Sequence, residues 1–276
     1  MNGVQLLSEP LVSRRTMALA VGGLVGVLVV RALMGLQVGG EPTSRLLAEA
    51  GPLAVLVVAA AVTLRTALGF ERGESLRRQW SLIGLGLLAL VGGELASFFA
   101  GAALGASAAP GLPDALRVTG YVLLCTGLLL AAFSYRDLID ARVPLAVSAV
   151  VSYGIGIVVY FSLLEPYVIA GGGLTGTARA LAVFYPLADV LGALAPALFL
   201  TIVVSRLYGG RLSWPWIAFA LGVLALGVSD TAHSVLSSAD LYRPGHPLET
   251  GWLLAPILMA IGASIASDVV ELPLGE

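Results

Sequence analysis

Eight long apolar runs constrain this chain more than any other feature of its sequence. Each run holds about 20 residues, which is the length that an α-helix needs to cross a bilayer core about 30 Å thick. The runs cover approximately 17–36, 47–68, 80–104, 115–134, 144–164, 180–205, 213–236 and 250–267, and short loops that hold most of the Arg, Asp, Pro and Gly residues separate them. The pattern predicts an all-α polytopic membrane protein of about eight transmembrane helices, with 1–276 as a single integral membrane domain.

The composition agrees and excludes several classes of protein. Hydrophobic side chains make up 58% of the chain and charged ones 12%, whereas a soluble domain carries about 25% charged residues. The chain has no lysine, so retinal Schiff bases, Walker A sites and pyridoxal phosphate chemistry are excluded. One cysteine, two histidines and a net charge of −2 argue against metal centres, haem and nucleic-acid binding. We therefore expect no cofactor, no metal site and no nucleic-acid partner.

The arginines predict an orientation in the membrane. Positive residues near helix ends are retained on the cytoplasmic side. Ten arginines lie on the side of the N-terminus, namely Arg14, Arg15, Arg65, Arg72, Arg77, Arg78, Arg136, Arg142, Arg206 and Arg211, and five lie opposite, namely Arg31, Arg45, Arg117, Arg179 and Arg243. This asymmetry predicts a multi-pass protein of the cell (inner or plasma) membrane with both termini in the cytoplasm.

The two halves of the chain resemble each other. Trp80 precedes Glu94 by 14 residues, and Trp216 precedes Asp230 by the same 14 residues. Further matches pair Gly86 with Gly222, 88–90 with 224–226, Arg45 with Arg179, and 52–54 with 186–188. An even number of helices in each copy makes the copies parallel, related by an axis along the membrane normal, and ligand sites of such folds lie between the copies. The sequence thus predicts two parallel four-helix repeats over 1–140 and 141–276.

Four ionisable residues fall inside the apolar runs, and each is a candidate for function because a charge in hydrocarbon costs at least about 2.5 kcal/mol. They are Glu94, Asp189, Asp230 and His233. At a rise of 1.5 Å per residue all four fall in the outer half of the bilayer, beneath the polar loop 241–247. Asp230 and His233 are three residues apart on one helix face, which predicts a hydrogen bond between them. The placement favours a shared outward-facing polar pocket; the alternative is that these groups only join helices to one another.

Aromatic residues and one proline complete the candidate set. Pro186, next to Tyr185, lies early in a span, where proline bends the helix and frees a backbone carbonyl. The remaining large aromatics are interpreted as belts at the two membrane interfaces: Trp214, Trp216, Trp252, Tyr121, Tyr153, Tyr160, Tyr167 and Tyr242.

A family resemblance becomes visible over roughly the last hundred residues. The motif residues are Tyr185, Pro186 and Asp189, then Asp230, then Tyr242, Pro244 and Gly245, and finally Glu249, Gly251 and Trp252. This pattern resembles the multi-helix membrane region that precedes the catalytic domain in many bacterial GGDEF-type diguanylate cyclases and EAL phosphodiesterases. Glu249 replaces the usual Asp, His233 stands where that family often has Tyr, and the first half, with Glu94 and Asp114, matches more weakly. The resemblance implies a ligand-responsive membrane module, and we expect the output domain to be absent from these 276 residues.

These observations predict a sensory or regulatory membrane module that acts through a separate protein partner or as a homo-oligomer. The candidates for ligand or proton binding are Glu94, Tyr185, Asp189, Asp230, His233, Tyr242, Glu249 and Trp252, and no catalytic residue is predicted. Three alternatives stay open: a non-catalytic structural subunit of a larger complex, a small transporter, and an intramembrane aspartyl protease. The last is suggested by Asp189 and Asp230, which lie on consecutive spans.

Overall fold

The computed structural model describes residues 12–104, 111–135, 140–171, 173–174, 176–208, 211–243 and 245–270. Within these ranges the chain forms helices and no strand, which confirms the predicted all-α class. The elements are α1 (Arg14–Gly35), α2 (Gly40–Gly69), α3 (Ser75–Leu104), α4 (Leu112–Tyr135), α5 (Arg142–Val159) with a π-helical continuation (Tyr160–Ile169), α6 (Gly176–Leu187) with a π-helical turn (Ala188–Leu194), α7 (Ala195–Tyr208), α8 (Trp214–Ser238) and α9 (Thr250–Val270). Short 3-10 turns at Arg211–Ser213 and Pro247–Glu249 precede α8 and α9.

Eight helices in the described part of the chain are long and apolar enough to cross a membrane, as the sequence predicted. Their mean hydropathy lies between 1.5 and 2.2. The predicted runs match them one for one, and α6, its π-helical turn and α7 together form the single span Gly176–Arg206. Eight such helices fit a multi-pass membrane protein.

Local sequence explains where several helices begin. The hydroxyl of Ser13 accepts a hydrogen bond of 3.2 Å from the backbone N–H of Thr16 and so caps α1. Between α1 and α2, Gly39 and Gly40 adopt φ angles of +80° and +79°, which glycine reaches without steric cost. Pro215 lies in the first turn of α8, where its missing N–H is not needed.

Prolines accompany both π-helical segments. Pro166 lies inside Tyr160–Ile169, and Pro186 is the last residue but one of α6, which the segment Ala188–Leu194 follows. A proline removes one backbone donor from the helical ladder, and π-helical turns occur frequently at functional sites. Asp189 is the second residue of the Ala188–Leu194 turn.

The core is one cluster of buried side chains from α2, α3, α4, the π-helical turn Ala188–Leu194, α7, α8 and α9, and it includes Trp80 and Trp216. Trp80 stacks on Trp216 with ring centroids 5.3 Å apart, and Phe219 contacts the edge of Trp80. Trp216 and Tyr121 are 4% and 5% exposed, so their placement in interface belts was wrong. Helix α1 lies at the periphery of the bundle. Only 11% of its most apolar 18-residue stretch is buried, whereas 56% is buried in the span Gly176–Arg206.

The two ends of the described chain meet at one end of the bundle. The backbone N–H of Ser13 and the hydroxyl of Thr16 donate to Oδ2 of Asp268 at 2.9 and 2.7 Å, which joins the start of α1 to the end of α9. At the opposite end, Arg31 donates to the carbonyl of Gly245 at 3.1 Å. We call this opposite end, which carries residues 239–249, the loop end.

Candidate functional site

Asp230 is the centre of a buried group of side chains toward the loop end. The indole Nε1 of Trp252 donates to its Oδ1 at 2.6 Å, and the hydroxyl of Tyr121 donates to its Oδ2 at 3.0 Å. One carboxyl group on α8 is therefore hydrogen-bonded to both α4 and α9. We call Tyr121, Asp189, Asp230 and Trp252 the Asp230 cluster.

Asp189 reaches this cluster from the π-helical turn. It is 1% exposed and packs against Gly227 of α8, where an added methyl group would lie 3.2 Å from its Cβ and 3.8 Å from its Oδ2. Asp189 is within electrostatic reach of Asp230 and Tyr121. Neither of its carboxyl oxygens has a hydrogen-bond partner in the described part of the chain. Asp189 and Asp230 thus lie in the same cluster, but among the described residues only Asp230 is hydrogen-bonded.

His233 lies between the cluster and the loop. Its ring contacts that of Tyr242 with centroids 4.5 Å apart and that of Trp252 at 5.1 Å. Its Nε2 lies 3.4 Å from the hydroxyl of Ser237, and its buried Nδ1 has no partner among the residues described. The expected hydrogen bond between Asp230 and His233 is therefore not formed, and the carboxyl oxygens of Asp230 accept from Trp252 and Tyr121.

Glu249 holds the loop at the loop end in place through two hydrogen bonds. Its Oε1 accepts a short hydrogen bond from the hydroxyl of Tyr242, and its Oε2 accepts one of 2.9 Å from the backbone N–H of Gly245. Glu249 is 5% exposed. Burial, together with the adjacent Glu249 carboxylate, raises the pKa of Tyr242 above its ordinary value, so the phenol stays protonated.

A cavity of about 10 Å³ lies under this loop, enough for about one water molecule. Its polar walls are His233, Tyr242, His246 and Glu249, and Trp252 separates it from Asp230. The hydroxyl of Ser229, which also lines it, donates a short hydrogen bond to the carbonyl of Leu248. Four of the eight predicted residues therefore line one cavity, and the other four lie outside its lining, namely Glu94, Tyr185, Asp189 and Asp230.

Glu94 belongs to a second polar group on α3 and α4. Arg117 donates through Nε to Glu94 at 2.9 Å and through NH2 to Ser97 at 2.7 Å. Its NH1 lies 3.6 Å from Asp114, whose carboxylate accepts a hydrogen bond of 3.4 Å from the hydroxyl of Tyr185. The rings of Tyr185 and Tyr121 are 5.5 Å apart. A continuous line of polar and aromatic contacts therefore connects Glu94 to the Asp230 cluster.

Sequence reasoning missed two residues that join these groups, Arg117 and Tyr121. Arg117 was counted only for topology, and Tyr121 was placed in a belt. A signal was available, because Asp114, Arg117 and Tyr121 lie at positions i, i+3 and i+7 and so share one face of α4.

The arrangement can exchange protons and hydrogen bonds between helices, and it is poorly suited to a metal. In the described parts of the chain no group of three or more His, Cys, Asp or Glu residues could hold a metal ion. An apolar cavity of about 360 Å³ lies beside the site between α5 and α8. Leu236 and Leu248 line both this cavity and the small polar one.

Comparisons with protein-family models, with curated proteins and with solved structures find no match for this chain.

Proposed function

We propose that this chain is a membrane-embedded sensory module in which the Asp230 cluster and the adjoining cavity form the responsive site. The observation that carries the proposal is the pair of hydrogen bonds through which Asp230 holds α4 and α9 to α8. Asp189 lies beside this pair, and its carboxyl oxygens have no hydrogen-bond partner among the residues that the structure describes. A change of one proton or one hydrogen bond here alters the packing of three helices at once, which is how a local event biases a larger structure.

The loop end is proposed as the outward face of the site. The arginine count favours this orientation, with both termini in the cytoplasm. Any ligand larger than water has to displace Tyr242 and break its bond to Glu249 before it reaches His233 and Trp252. Loop opening and cluster repacking are therefore parts of one response.

The residues of the sequence resemblance support this proposal because they meet in space. Asp189, Asp230 and Trp252 belong to the Asp230 cluster, and Tyr242 and Glu249 close the cavity next to it. We therefore also propose a relation to the membrane regions of GGDEF and EAL signalling proteins. By this proposal the module acts on a separate protein partner or on a second copy of itself.

The two parallel repeats remain a proposal, and matched contacts support it. Arg117 bonds to Glu94 between α3 and α4 at 2.9 Å, and Trp252 bonds to Asp230 between α8 and α9 at 2.6 Å, so an acid and a donor occur at corresponding places in both halves. A methyl group added at Gly86 would lie 2.8 Å from the carbonyl of Gly120, and one added at Gly222 would lie 2.9 Å from that of Ala255. Trp80 and Trp216 would stack at the axis between the halves.

The first half does not repeat the whole site. At the 134-residue offset that relates Arg45 to Arg179, Val55 corresponds to Asp189. The proposed duplication therefore gives one acidic pair per chain, in the second half.

The sensory proposal is tested by amide hydrogen exchange in purified protein reconstituted into lipid nanodiscs. Exchange in 239–249 and α8, expressed as protection relative to the intrinsic exchange rate at the same pH, is followed after a pH step from about 8 to about 5 and, separately, after addition of sodium chloride. We expect exchange in these segments to change for the natural protein and for Asp268→Asn, and not for Asp230→Asn. Asp268 is the matched control, because it is a hydrogen-bonded carboxylate at the other end of the bundle. Exchange that is the same before and after both steps in every variant would establish the structural-subunit alternative instead.

One observation favours intramembrane proteolysis as a second candidate. Asp189 packs against Gly227, one turn before Asp230 on α8, and the two aspartates lie on consecutive spans, as a catalytic aspartate pair requires. Cleavage of a quenched fluorescent transmembrane peptide, lost in both Asp189→Asn and Asp230→Asn, would establish this activity.

A further inference from the structure

The hydrogen bonds of the cluster leave Asp189 unexplained. More than nine-tenths of buried backbone polar groups and most buried side-chain polar atoms have a partner. Asp189 is 1% exposed, and both of its oxygens lack one among the described residues. A buried carboxyl group in this condition is costly as a bare carboxylate, which favours a bound proton or a shared hydrogen bond.

Within the described ranges, the groups that face the acidic pair offer no cation for Asp189. From α4 it faces Tyr121 and Cys125, and from α8 it faces Asp230. Glu94, Arg117 and Tyr185 lie farther away and interact with Asp230 electrostatically, and the ring of Tyr185 contacts that of Tyr121.

The cation among these groups, Arg117, is already engaged by Glu94 and Asp114. Two adjacent carboxylates without a bound cation repel each other, and a single proton between them removes that repulsion.

We propose that Asp189 and Asp230 together hold one exchangeable proton, and that this proton is the ligand of the sensory site. The inference deepens the proposed function and rests on it. A proton is favoured over a metal ion, because structural metals take four or more ligands and no described group of acids, histidines and cysteines supplies even three.

The two protonation states differ in what holds the helices together. With the proton present, the pair carries one negative charge, and Asp189 can donate to Asp230 while Tyr121 and Trp252 continue to bond to Asp230. When the proton leaves to water, the pair carries two negative charges, and Arg117 is the cation within electrostatic reach of Asp230. Arg117 is then drawn away from Glu94 and Asp114, which loosens the contact between α3 and α4.

Infrared spectroscopy tests this proposal directly, since a protonated carboxyl group absorbs apart from carboxylates and amides. Spectra of the natural protein in nanodiscs at neutral pH are compared with those of Asp189→Asn, Asp230→Asn and Asp268→Asn. We expect one protonated-carboxyl band that Asp189→Asn removes, that Asp230→Asn shifts in frequency, and that Asp268→Asn leaves unchanged.

Three outcomes would overturn the proposal: no such band in the natural protein, a band that survives in Asp189→Asn, or a band that Asp230→Asn leaves at the same frequency. If Asp189→Asn does not fold, Asp230→Asn decides alone, by a shifted or an unshifted band. Hydrogen exchange separates this proposal from the proposed function. If the expected bands occur but hydrogen exchange does not change, the proton site is supported and the sensory function is contradicted. If hydrogen exchange changes but the band is absent, the sensory function is supported and the proton site is contradicted.

Discussion

Trp80 and Trp216 stack face to face with an angle of 19° between their ring planes and a centroid distance of 5.3 Å. Each tryptophan precedes an acid by 14 residues in its own helix, Glu94 in α3 and Asp230 in α8. At 1.5 Å per residue both acids lie about 21 Å along the helix from the stacked rings. The stacked rings therefore place Glu94 and Asp230 at similar depths in the bundle. We expect close helix contacts between the stack and these acids to contribute most to stability.

Close helix contacts at two glycines are the first test. We expect Gly86→Ala and Gly222→Ala each to lower the stability by about 1–3 kcal/mol, because the new methyl groups would lie within 2.9 Å of backbone atoms on α4 and α9. Gly22→Ala on α1 is the matched control, since nothing lies within 4 Å of its added methyl group. The thermal midpoint in a fixed detergent measures all three. Equal midpoints for the control and the two core variants would contradict this packing.

The sequence predicted the helices well because a bilayer leaves few choices. Every backbone group in a span must be bonded within its own helix, so apolar length alone identifies the spans. The ends differ by a few residues: the structure extends the predicted 144–164 to Arg142–Ile169. The π-helical turn that carries Asp189 was not foreseen, because Pro186 shows where a helix is disturbed but not which ladder replaces it.

The site was harder to predict because its bonds join distant parts of the chain. Asp230 and His233 are neighbours on one helix face, and this local rule predicted a bond between them. Asp230 instead bonds to Trp252 and to Tyr121, and Tyr121 lies 109 residues away and was assigned to the membrane interface. Periodicity identifies which face of a helix is polar, but only the tertiary fold, which brings Tyr121 of α4 to Asp230 of α8, decides which polar groups meet.

The hydrogen bond from Trp252 to Asp230 gives the second test. Trp252→Phe keeps an aromatic ring and removes the donor, so we expect a loss of about 1.5–3 kcal/mol of stability, as for other bonds to charged groups. Trp214→Phe is the control, because Trp214 is 49% exposed on the outside of α8. In the Asp230→Asn background the cost of Trp252→Phe should shrink, since both changes act on one bond. Fully additive costs would show that the bond at 2.6 Å does not contribute.

Arg117 gives the third test, because it joins α3 to α4. Arg117→Gln removes the bonds to Glu94 and Ser97, and we expect a clear drop in the thermal midpoint. Arg45→Gln breaks the exposed pair of Arg45 with Glu49, which should cost less than about 0.5 kcal/mol. Arg117 is 24% exposed and Arg45 is 68% exposed, so solvent screens the second pair far more. Equal midpoints in the two variants would mean that Arg117 is not a structural link.

Tyr242 gives a prediction in alkaline solution. A phenol ordinarily has a pKa of about 10, and burial beside Glu249 raises the pKa of Tyr242 in the folded protein. The unfolded chain therefore loses this proton first as the pH rises. The stabilising contribution of Tyr242 is complete below about pH 10 and declines above that value as the pH approaches the folded-state pKa.

Tyr242→Phe removes both the titration and the hydrogen bond to Glu249. We expect the variant to be less stable than the natural protein at pH 8, and we expect this difference to shrink above about pH 10. Thermal midpoints of both proteins across that range measure the difference. Tyr153→Phe, at a tyrosine that is 56% exposed, corrects for the loss of a phenol from the surface. A difference that stays constant from neutral to alkaline pH would show that Tyr242 is not held protonated by its burial next to Glu249.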